Sequence, residues 1–268
     1  MTTKSDPTAF DAVDGEDPDY FIRFLDARLT IEGELQVKRL IAGLLDAQPG
    51  HLVLDVGAGT GADTEELAGR VGPNGRVIGL DISASMLAEA KRRTAGTELP
   101  LEFVEGDAGA LDFADASFDR CRGERILMAM EDPARAVQEL VRVTKPEGLV
   151  VLSELDASTI FLNSSNQPLV DRLLGSFSSQ LKSPYVGRRL HRLMLEAGLD
   201  DVRCAPTVIQ NSVRFMRLVF TAQLKQLVDE GSATRAEVDA FWAELEDGER
   251  AGWLCSGVVC FTVVGQKS

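Results

Sequence analysis

The hydrophobic positions of this chain alternate between short continuous runs and stretches with helical spacing. Continuous apolar runs begin at Leu52, Val77 and Leu149, and shorter interrupted runs lie near Leu101 and Phe118. Between these runs, apolar residues recur every three or four positions, which is typical of amphipathic helices. Compact apolar strands that alternate with helices predict a parallel sheet with helices on both faces. The pattern therefore predicts a doubly wound α/β fold.

Further helical patterns lie outside this alternating core. They precede the first strand and interrupt the chain after the fifth and sixth strands. We expect a single domain over residues 1–268, divided into a flexible tail at 1–19, N-terminal lid helices at 20–48, a cofactor-binding core at 50–155, helical substrate-side elaborations at 156–198 and 214–251, and a last strand at 253–265. The tail is predicted to be flexible because it is acidic, polar and rich in turn-forming residues.

One βαβ unit carries the clearest chemical pattern. Its first strand ends on Asp55 and opens into a loop with alternating glycines, and its second strand ends on Asp81. The loop from Gly57 to Ala62 satisfies the GxGxxA pattern of dinucleotide sites, and Asp81 has about the spacing expected of a ribose-binding acid. Nucleotide and S-adenosylmethionine sites share these features, so the unit alone does not choose between them.

Three observations favour S-adenosylmethionine over a dinucleotide. Asp55 directly precedes the loop, where it would repel a pyrophosphate and attract an ammonium or a sulfonium. Three alternate glycines let the backbone approach a flat ligand that has no phosphate. Asp107 follows the third strand, where its carboxylate could accept a hydrogen bond from an adenine amino group.

From about Tyr20 onward, the chain resembles the class I S-adenosylmethionine-dependent methyltransferases, in particular their UbiE-like small-molecule branch. The matching motifs are VLDVGAGTG from Val53, GLDIS from Gly79 with Met86, EGD from Glu105, SFD from Ser117, Asp132-Pro133 and RVTKP from Arg142. The resemblance implies a Rossmann-like fold with a mostly parallel seven-stranded sheet and an antiparallel last strand. It also implies C- or O-methylation of a small, largely apolar or aromatic metabolite, in specialised metabolism, with S-adenosylhomocysteine as the second product.

The same resemblance assigns the methionine and ribose portions of the cofactor to the first two strand ends. Asp55 would orient the amino group, Asp81 would accept hydrogen bonds from both ribose hydroxyls, and Arg122 would line the sulfonium side. A surface ion pair is the alternative for Arg122. The loop residues that would face the methionine portion are Gly57, Ala58, Gly59 and Gly61.

The adenine would lie between the ends of the second and third strands. Ile82 and Met86 would pack on its faces, and Asp107 would read its edge together with the Ala108 amide after Gly106. Two alternatives remain open from the residues themselves. Met86 could be a helix core residue, and Asp107 could serve only to form a turn.

Methyl transfer from a sulfonium requires mainly that nucleophile and methyl group are held close and that water is excluded. A general base is needed only where the acceptor must lose a proton. The family pattern often places a histidine two residues after Leu127, and this chain has Ala129 there. The candidate catalytic residues are Glu154, His191 and Tyr20. Their alternatives are a cap or loop bond for Glu154, a solvated basic face for His191, and simple packing for Tyr20.

Composition limits the class of partner. The net charge is −14 and no long block of Lys and Arg occurs, which disfavours a nucleic acid partner. Four cysteines without a CxxC pair, together with two histidines, are poor material for a metal site. No apolar run is long enough to span a membrane, so we expect a cytoplasmic protein without membrane insertion.

Two functions from other classes remain open. The glycine loop would also suit an NAD(P)-dependent oxidoreductase, and the fold could belong to a non-catalytic protein that binds an adenosyl cofactor. The apolar residues of the helical lids could wall a pocket for a small-molecule acceptor, form the lids' own cores, or form an interface between copies of the chain. The residues in question are Phe161, Leu162, Phe177, Phe215, Phe220 and Phe241.

Overall fold

A computed structural model describes residue 10, residues 13–15 and residues 17–268 of the chain. Within this part, the strands are β1 (Leu52–Val56), β2 (Arg76–Asp81), β3 (Leu101–Glu105), β4 (Phe118–Glu124), β5 (Thr144–Leu155), β6 (Phe161–Leu162), β7 (Leu199–Gln210) and β8 (Ser256–Lys267). The α-helices are α1 (Pro18–Arg28), α2 (Glu32–Leu45), α3 (Ala62–Val71), α4 (Ala84–Arg93), α5 (Pro133–Val143), α6 (Gln167–Gln180), α7 (Val186–Glu196), α8 (Val213–Asp229) and α9 (Arg235–Ala251). Three 3₁₀ turns lie at Val13–Gly15, Leu127–Ala129 and Ala157–Thr159.

The strands form one mixed sheet in the order β3-β2-β1-β4-β5-β8-β7. Strands β1 to β5 are parallel to one another, and β8 runs antiparallel to both β5 and β7. The predicted α/β fold with an antiparallel last strand is confirmed. The described sheet has an eighth strand, because the two residues of β6 pair with β8 beyond the end of β5.

Helices cover both faces of the sheet, as expected of a doubly wound fold. Helices α5 and α7 bury their apolar faces against one side, and α2 and α3 cover the other. Because β1 to β5 are parallel, their carboxyl ends meet at a single edge, where the loops after Val56, Asp81, Glu105 and Glu124 lie side by side. Ligands of open α/β sheets bind at such an edge.

The N-terminal stretch differs from the predicted flexible tail. Residues 1–9, 11, 12 and 16 lie outside the described residues, but Val13 is buried beside Phe21 and Met86. The Asp14 carboxylate accepts hydrogen bonds from the Ser83 hydroxyl and from two amides in the first turn of α4. Two apolar side chains, Phe10 and Val13, and one helix cap therefore join this stretch to the core. Its polar composition does not predict these contacts.

The helical additions build a second apolar core next to the carboxyl edge of the sheet. Helix α6 packs on the α8–α9 pair that joins β7 to β8, and the Phe177 and Phe220 rings meet edge to face at 5.5 Å. Phe241 is buried within this core. None of the helices in the described ranges is long and apolar enough to cross a lipid bilayer.

Candidate cofactor and acceptor site

A cavity of about 280 Å³ extends along the carboxyl edge of the sheet. This volume is close to the lower end of the range for small-molecule sites, about 300 Å³. One half is lined by the loops that follow β1, β2 and β3, and the other by the loop after β4 and by helices α6 and α8. Helices α1 and α2 contribute charged residues to the wall.

The glycine loop between β1 and α3 forms one side of the first half. Gly57 and Gly59 line the cavity with positive φ angles of 74° and 53°. A Cβ added to Gly57 would lie 2.2 Å from Cγ2 of Ile126, so a side chain there would collide with the loop after β4. Ala58 also lines the cavity. Gly61 does not; it is the N-cap of α3, where a Cβ would collide with Phe103.

Asp81 lies on the cavity wall at the end of β2. Its two carboxylate oxygens accept hydrogen bonds from the amides of Gly59, at 2.8 Å, and Ser83, at 3.0 Å. Burial raises the pKa of Asp81, although the backbone donors oppose this change. A carboxylate has about four lone-pair positions, so this one can still accept from two adjacent hydroxyls.

The end of the cavity near β3 suits a flat apolar ring with a polar edge. Ile82 is a large apolar residue that is 53% exposed, while Met86 is buried. Both line the cavity together with Gly106, Asp107 and Ala108. Oδ1 of Asp107 accepts a hydrogen bond from the Gly109 amide, so Asp107 forms a turn and also lies on the wall.

Asp55 and Arg122 lie beneath the cavity and do not line it. The Asp55 carboxylate accepts a hydrogen bond from the Thr64 hydroxyl at 2.7 Å and lies 3.5 Å from Nε of Arg122. Both side chains are buried, and burial raises the pKa of Asp55 despite the nearby Arg122 charge. Asp55 was expected to contact the cofactor amino group, but its side chain does not reach the cavity. Arg122 was expected to line the sulfonium side or to form a surface ion pair, but its side chain is buried beneath the cavity. The two residues instead support the floor of the site.

Arg122 belongs to a buried network of ion pairs that the sequence patterns did not reveal. The basic members are Arg28, Lys38, Arg122 and Arg125, and the acidic members are Glu34, Asp55, Asp63 and Glu124. The charges of these members balance. Six of them, all except Asp55 and Arg122, line the cavity.

Glu124 is the centre of this network. Arg28, Lys38 and Arg122 all contact its carboxylate. Burial raises the pKa of Glu124, but the three cations outweigh burial and hold the pKa well below its usual range. The wall therefore presents fixed charges of both signs next to the glycine loop.

Glu154 is fully buried but does not line the cavity. Its Oε1 accepts hydrogen bonds from the amides of Ile126, at 2.9 Å, and Leu127, at 2.7 Å. Burial raises the pKa of Glu154 to about 7. The side chain thus holds the loop after β4, whose residues Ile126, Met128, Ala129 and Met130 form part of the cavity wall.

The other two catalytic candidates also lie away from the wall. Nε2 of His191 is 3.2 Å from the carbonyl oxygen of Val202, where α7 packs beside β7. The Tyr20 hydroxyl donates to the carbonyl oxygen of Leu218 and so ties α1 to α8. The structure therefore does not bring Glu154, His191 and Tyr20 together at a reaction centre.

The second half of the cavity is an apolar chamber. Its wall includes Met128, Met130, Phe177, Phe215, Met216 and Phe220. Of the six lid residues considered from the sequence, Phe177, Phe215 and Phe220 line the chamber, while Phe161, Leu162 and Phe241 do not. Asn211 is a polar residue on the same wall that no sequence motif indicated.

Comparison with known proteins identifies relatives along most of the core. A family model described as a methyltransferase domain matches residues 54–152. The demethylmenaquinone methyltransferase of Renibacterium salmoninarum is 41% identical over 122 residues, which cover 46% of this chain and 48% of that protein. The enzyme of the same name from Bacillus mycoides is 37% identical over 179 residues, which cover 61% of this chain and 76% of that protein. The chain spans about half the length of several curated relatives, between 47% and 53%.

Solved structures share the fold at low sequence identity. The YcgJ protein of Bacillus subtilis superposes with a TM-score of 0.59 and 18% identity, covering 86% of this chain and 97% of that one. At this identity the likeness concerns the fold alone. The structural similarity extends over more of the chain than residues 54–152, which the family model matches.

Proposed function

The chain belongs to the UbiE-like branch of the class I S-adenosylmethionine-dependent methyltransferases, and we propose that it methylates a small, largely apolar aromatic acceptor. The observation that carries this proposal is one continuous cavity whose two halves differ in chemistry. One half combines the glycine loop with Asp81 and Asp107, and the other is the apolar chamber beneath α6 and α8. A charged cofactor and an apolar acceptor would therefore meet within one continuous cavity.

The residues on the wall fit the cofactor of this family. Gly57 and Gly59 line the cavity without side chains, so a ligand can approach the backbone of the loop there. Asp81 retains acceptor positions for a ribose diol, and Ile82 offers an exposed apolar surface to the adenine. Arg28 and Glu124 represent the two signs of charge that an amino acid portion requires. The bound cofactor supplies a methyl group on a sulfonium, which is a strong electrophile.

The chain's own contribution is to position the acceptor and to exclude water. The carboxylates on the wall near the chamber are weak bases. Burial raises the pKa of Glu34, but the charges of Arg125 and Arg28 lower it further than burial raises it. Ala129 occupies the position where the family often has histidine. This arrangement favours an acceptor atom that is nucleophilic without a base, such as an electron-rich aromatic carbon that loses its proton to water afterwards.

The relatives named demethylmenaquinone methyltransferases suggest the first acceptors to test. Purified protein would be incubated with methyl-labelled S-adenosylmethionine and a panel of naphthoquinols, phenols and amines, and products would be detected by mass spectrometry. We expect label in an aromatic quinol or phenol, and none with Asp81→Ala at the same cofactor concentration. Calorimetric binding of NAD(H) in place of S-adenosylmethionine would instead identify an oxidoreductase. Cofactor binding without transfer to any acceptor class would favour a non-catalytic role.

A further inference from the structure

Asn211 occupies an unusual position in the wall of the apolar chamber. It lies between the end of β7 and the start of α8, one turn before Phe215 and Met216, which line the same chamber. It offers a neutral amide beside the apolar side chains of the chamber wall. An acceptor that enters this space would leave water behind, so any polar group on it would need a partner here.

The side-chain oxygen of Asn211, Oδ1, is buried and has no hydrogen-bond partner among the described residues. Buried polar atoms are nearly always hydrogen-bonded, so an unsatisfied one requires an explanation. An amide carries two donor hydrogens and an acceptor oxygen. Rotation about the last side-chain torsion, which has a broad and roughly two-fold profile, can turn either end toward a ligand.

The backbone of Asn211 is held in place, which fixes the point from which its side chain projects. The backbone nitrogen donates a hydrogen bond to the Ser256 carbonyl oxygen at 3.3 Å, and the backbone carbonyl oxygen accepts one from the Ser256 hydroxyl at 2.8 Å. Ser256 is itself buried at the start of β8. Groups that orient a ligand must be supported in this way, because a loose side chain loses entropy on binding.

The charged residues on the wall are less suited to bind a neutral group. Arg28 and Arg125 both direct an Nη2 atom to Glu34, and Arg28 also pairs with Glu124. A neutral hydroxyl would have to compete with these charge-assisted bonds, which are stronger than bonds between neutral groups. Oδ1 of Asn211 has no such competitor in the described part of the chain.

We propose that the Asn211 amide hydrogen-bonds a hydroxyl group of the methyl acceptor and thereby sets which edge of its aromatic ring faces the methyl donor. This inference rests on the proposed function. It defines the substrate class as an aromatic molecule with a ring hydroxyl, such as a phenol or a quinol. Asn211 is in this sense a positioning residue, since it acts on the orientation of the acceptor and takes no part in proton transfer.

The test compares two fluorescent probes of similar shape, 1-naphthol and naphthalene. Their dissociation constants would be measured by fluorescence titration with saturating S-adenosylhomocysteine, so that no methyl transfer can occur. In Asn211→Leu, which is close in size to the wild type but has no polar atom, we expect the preference for 1-naphthol to fall about fivefold. That change corresponds to about 1 kcal/mol, at about 1.4 kcal/mol for each factor of ten.

Two further variants separate positioning from structural damage. Val219→Ala, on the same wall, should weaken both probes by a similar factor and leave their ratio unchanged. Asn211→Asp keeps two acceptor oxygens and should restore the preference for 1-naphthol. Unaltered affinity of Asn211→Leu for S-adenosylhomocysteine would show that the variant is folded.

An unchanged probe ratio in Asn211→Leu, with S-adenosylhomocysteine still bound, would overturn the inference and leave the proposed function intact. Failure of the wild-type protein to bind either probe in the presence of S-adenosylhomocysteine would also overturn it. Failure of the wild-type protein to bind S-adenosylhomocysteine at all would refute the proposed function, and the inference with it.

Discussion

Replacement of Glu154 by glutamine should change how the stability of the protein depends on pH. The wild-type carboxyl is fully buried, and one of its oxygens accepts from the amides of Ile126 and Leu127. Its second oxygen, Oε2, has no hydrogen-bond partner among the described residues. Glutamine has nearly the same shape and keeps the accepting oxygen, but it cannot ionise.

The expected magnitude follows from the pKa of Glu154. Burial raises this pKa from 4.5 to about 7 in the folded protein. At about 1.36 kcal/mol for each pH unit, the difference corresponds to about 3 kcal/mol of stability. Because the folded pKa is the higher one, this stability is fully present below pH 4.5 and is lost as the pH rises through about 7. Over this window the folded protein holds a proton that the unfolded chain has released.

The assay is urea denaturation of the wild type and Glu154→Gln at several pH values from 4 to 8. We expect the free energy of unfolding of Glu154→Gln, relative to that of the wild type, to increase by about 3 kcal/mol across this range. Glu139→Gln is a matched control, because the Arg142 hydrogen bond lowers the pKa of Glu139 and its contribution is lost only as the pH falls below 4.5. The curve of Glu139→Gln should therefore run parallel to that of the wild type over most of this range. Parallel curves for the wild type and Glu154→Gln would refute the reasoning.

Three further variants and one control test the cofactor half of the cavity. Asp81→Ala should weaken S-adenosylmethionine binding by about 1.5–3 kcal/mol in calorimetry; unchanged affinity would mean that the ribose is held elsewhere. Gly57→Ala should lower the melting temperature, because φ is positive and its Cβ would meet Ile126, at a backbone cost alone of about 1–2 kcal/mol. Gly69→Ala, with open space on α3, should not lower it. Asp14→Ala removes a cap of about 1 kcal/mol from α4 next to Val13, which lines the cavity, and should speed S-adenosylhomocysteine release in stopped-flow measurements; an unaltered rate would mean that this stretch does not retain the cofactor.

The sequence by itself was sufficient to predict the parallel sheet and the edge of the sheet at which the cavity lies. Apolar runs of strand length alternate with helical periods, and each period reflects only neighbours in the chain. The glycine loop and Asp81 lie directly at strand ends, and parallel strands bring such ends to one edge. Gly57, Gly59 and Asp81 could therefore be located on the cavity wall without knowledge of any distant contact.

The remaining site residues were harder to predict because their roles depend on distant parts of the chain. Asp55 stands where a cofactor contact was expected, yet its side chain points to Thr64 and Arg122 beneath the floor. Glu154 lies at the correct edge of the sheet, but it binds the backbone of the neighbouring loop. Sequence position determines which edge a residue reaches, and it does not determine which way its side chain is directed.

Only the tertiary structure decided which charges pair on the cavity wall and where Asn211 lies in the chamber. Arg28 reaches Glu124 across 96 positions of sequence, and Asn211 is held by Ser256 across 45. Such pairs depend on how helices and strands pack, and no local periodicity or motif encodes them. Local patterns thus determined where the cofactor could bind. The packing of the lid helices decided the shape and polarity of the chamber, because Asn211 and the apolar residues around it come from segments that are far apart in the sequence.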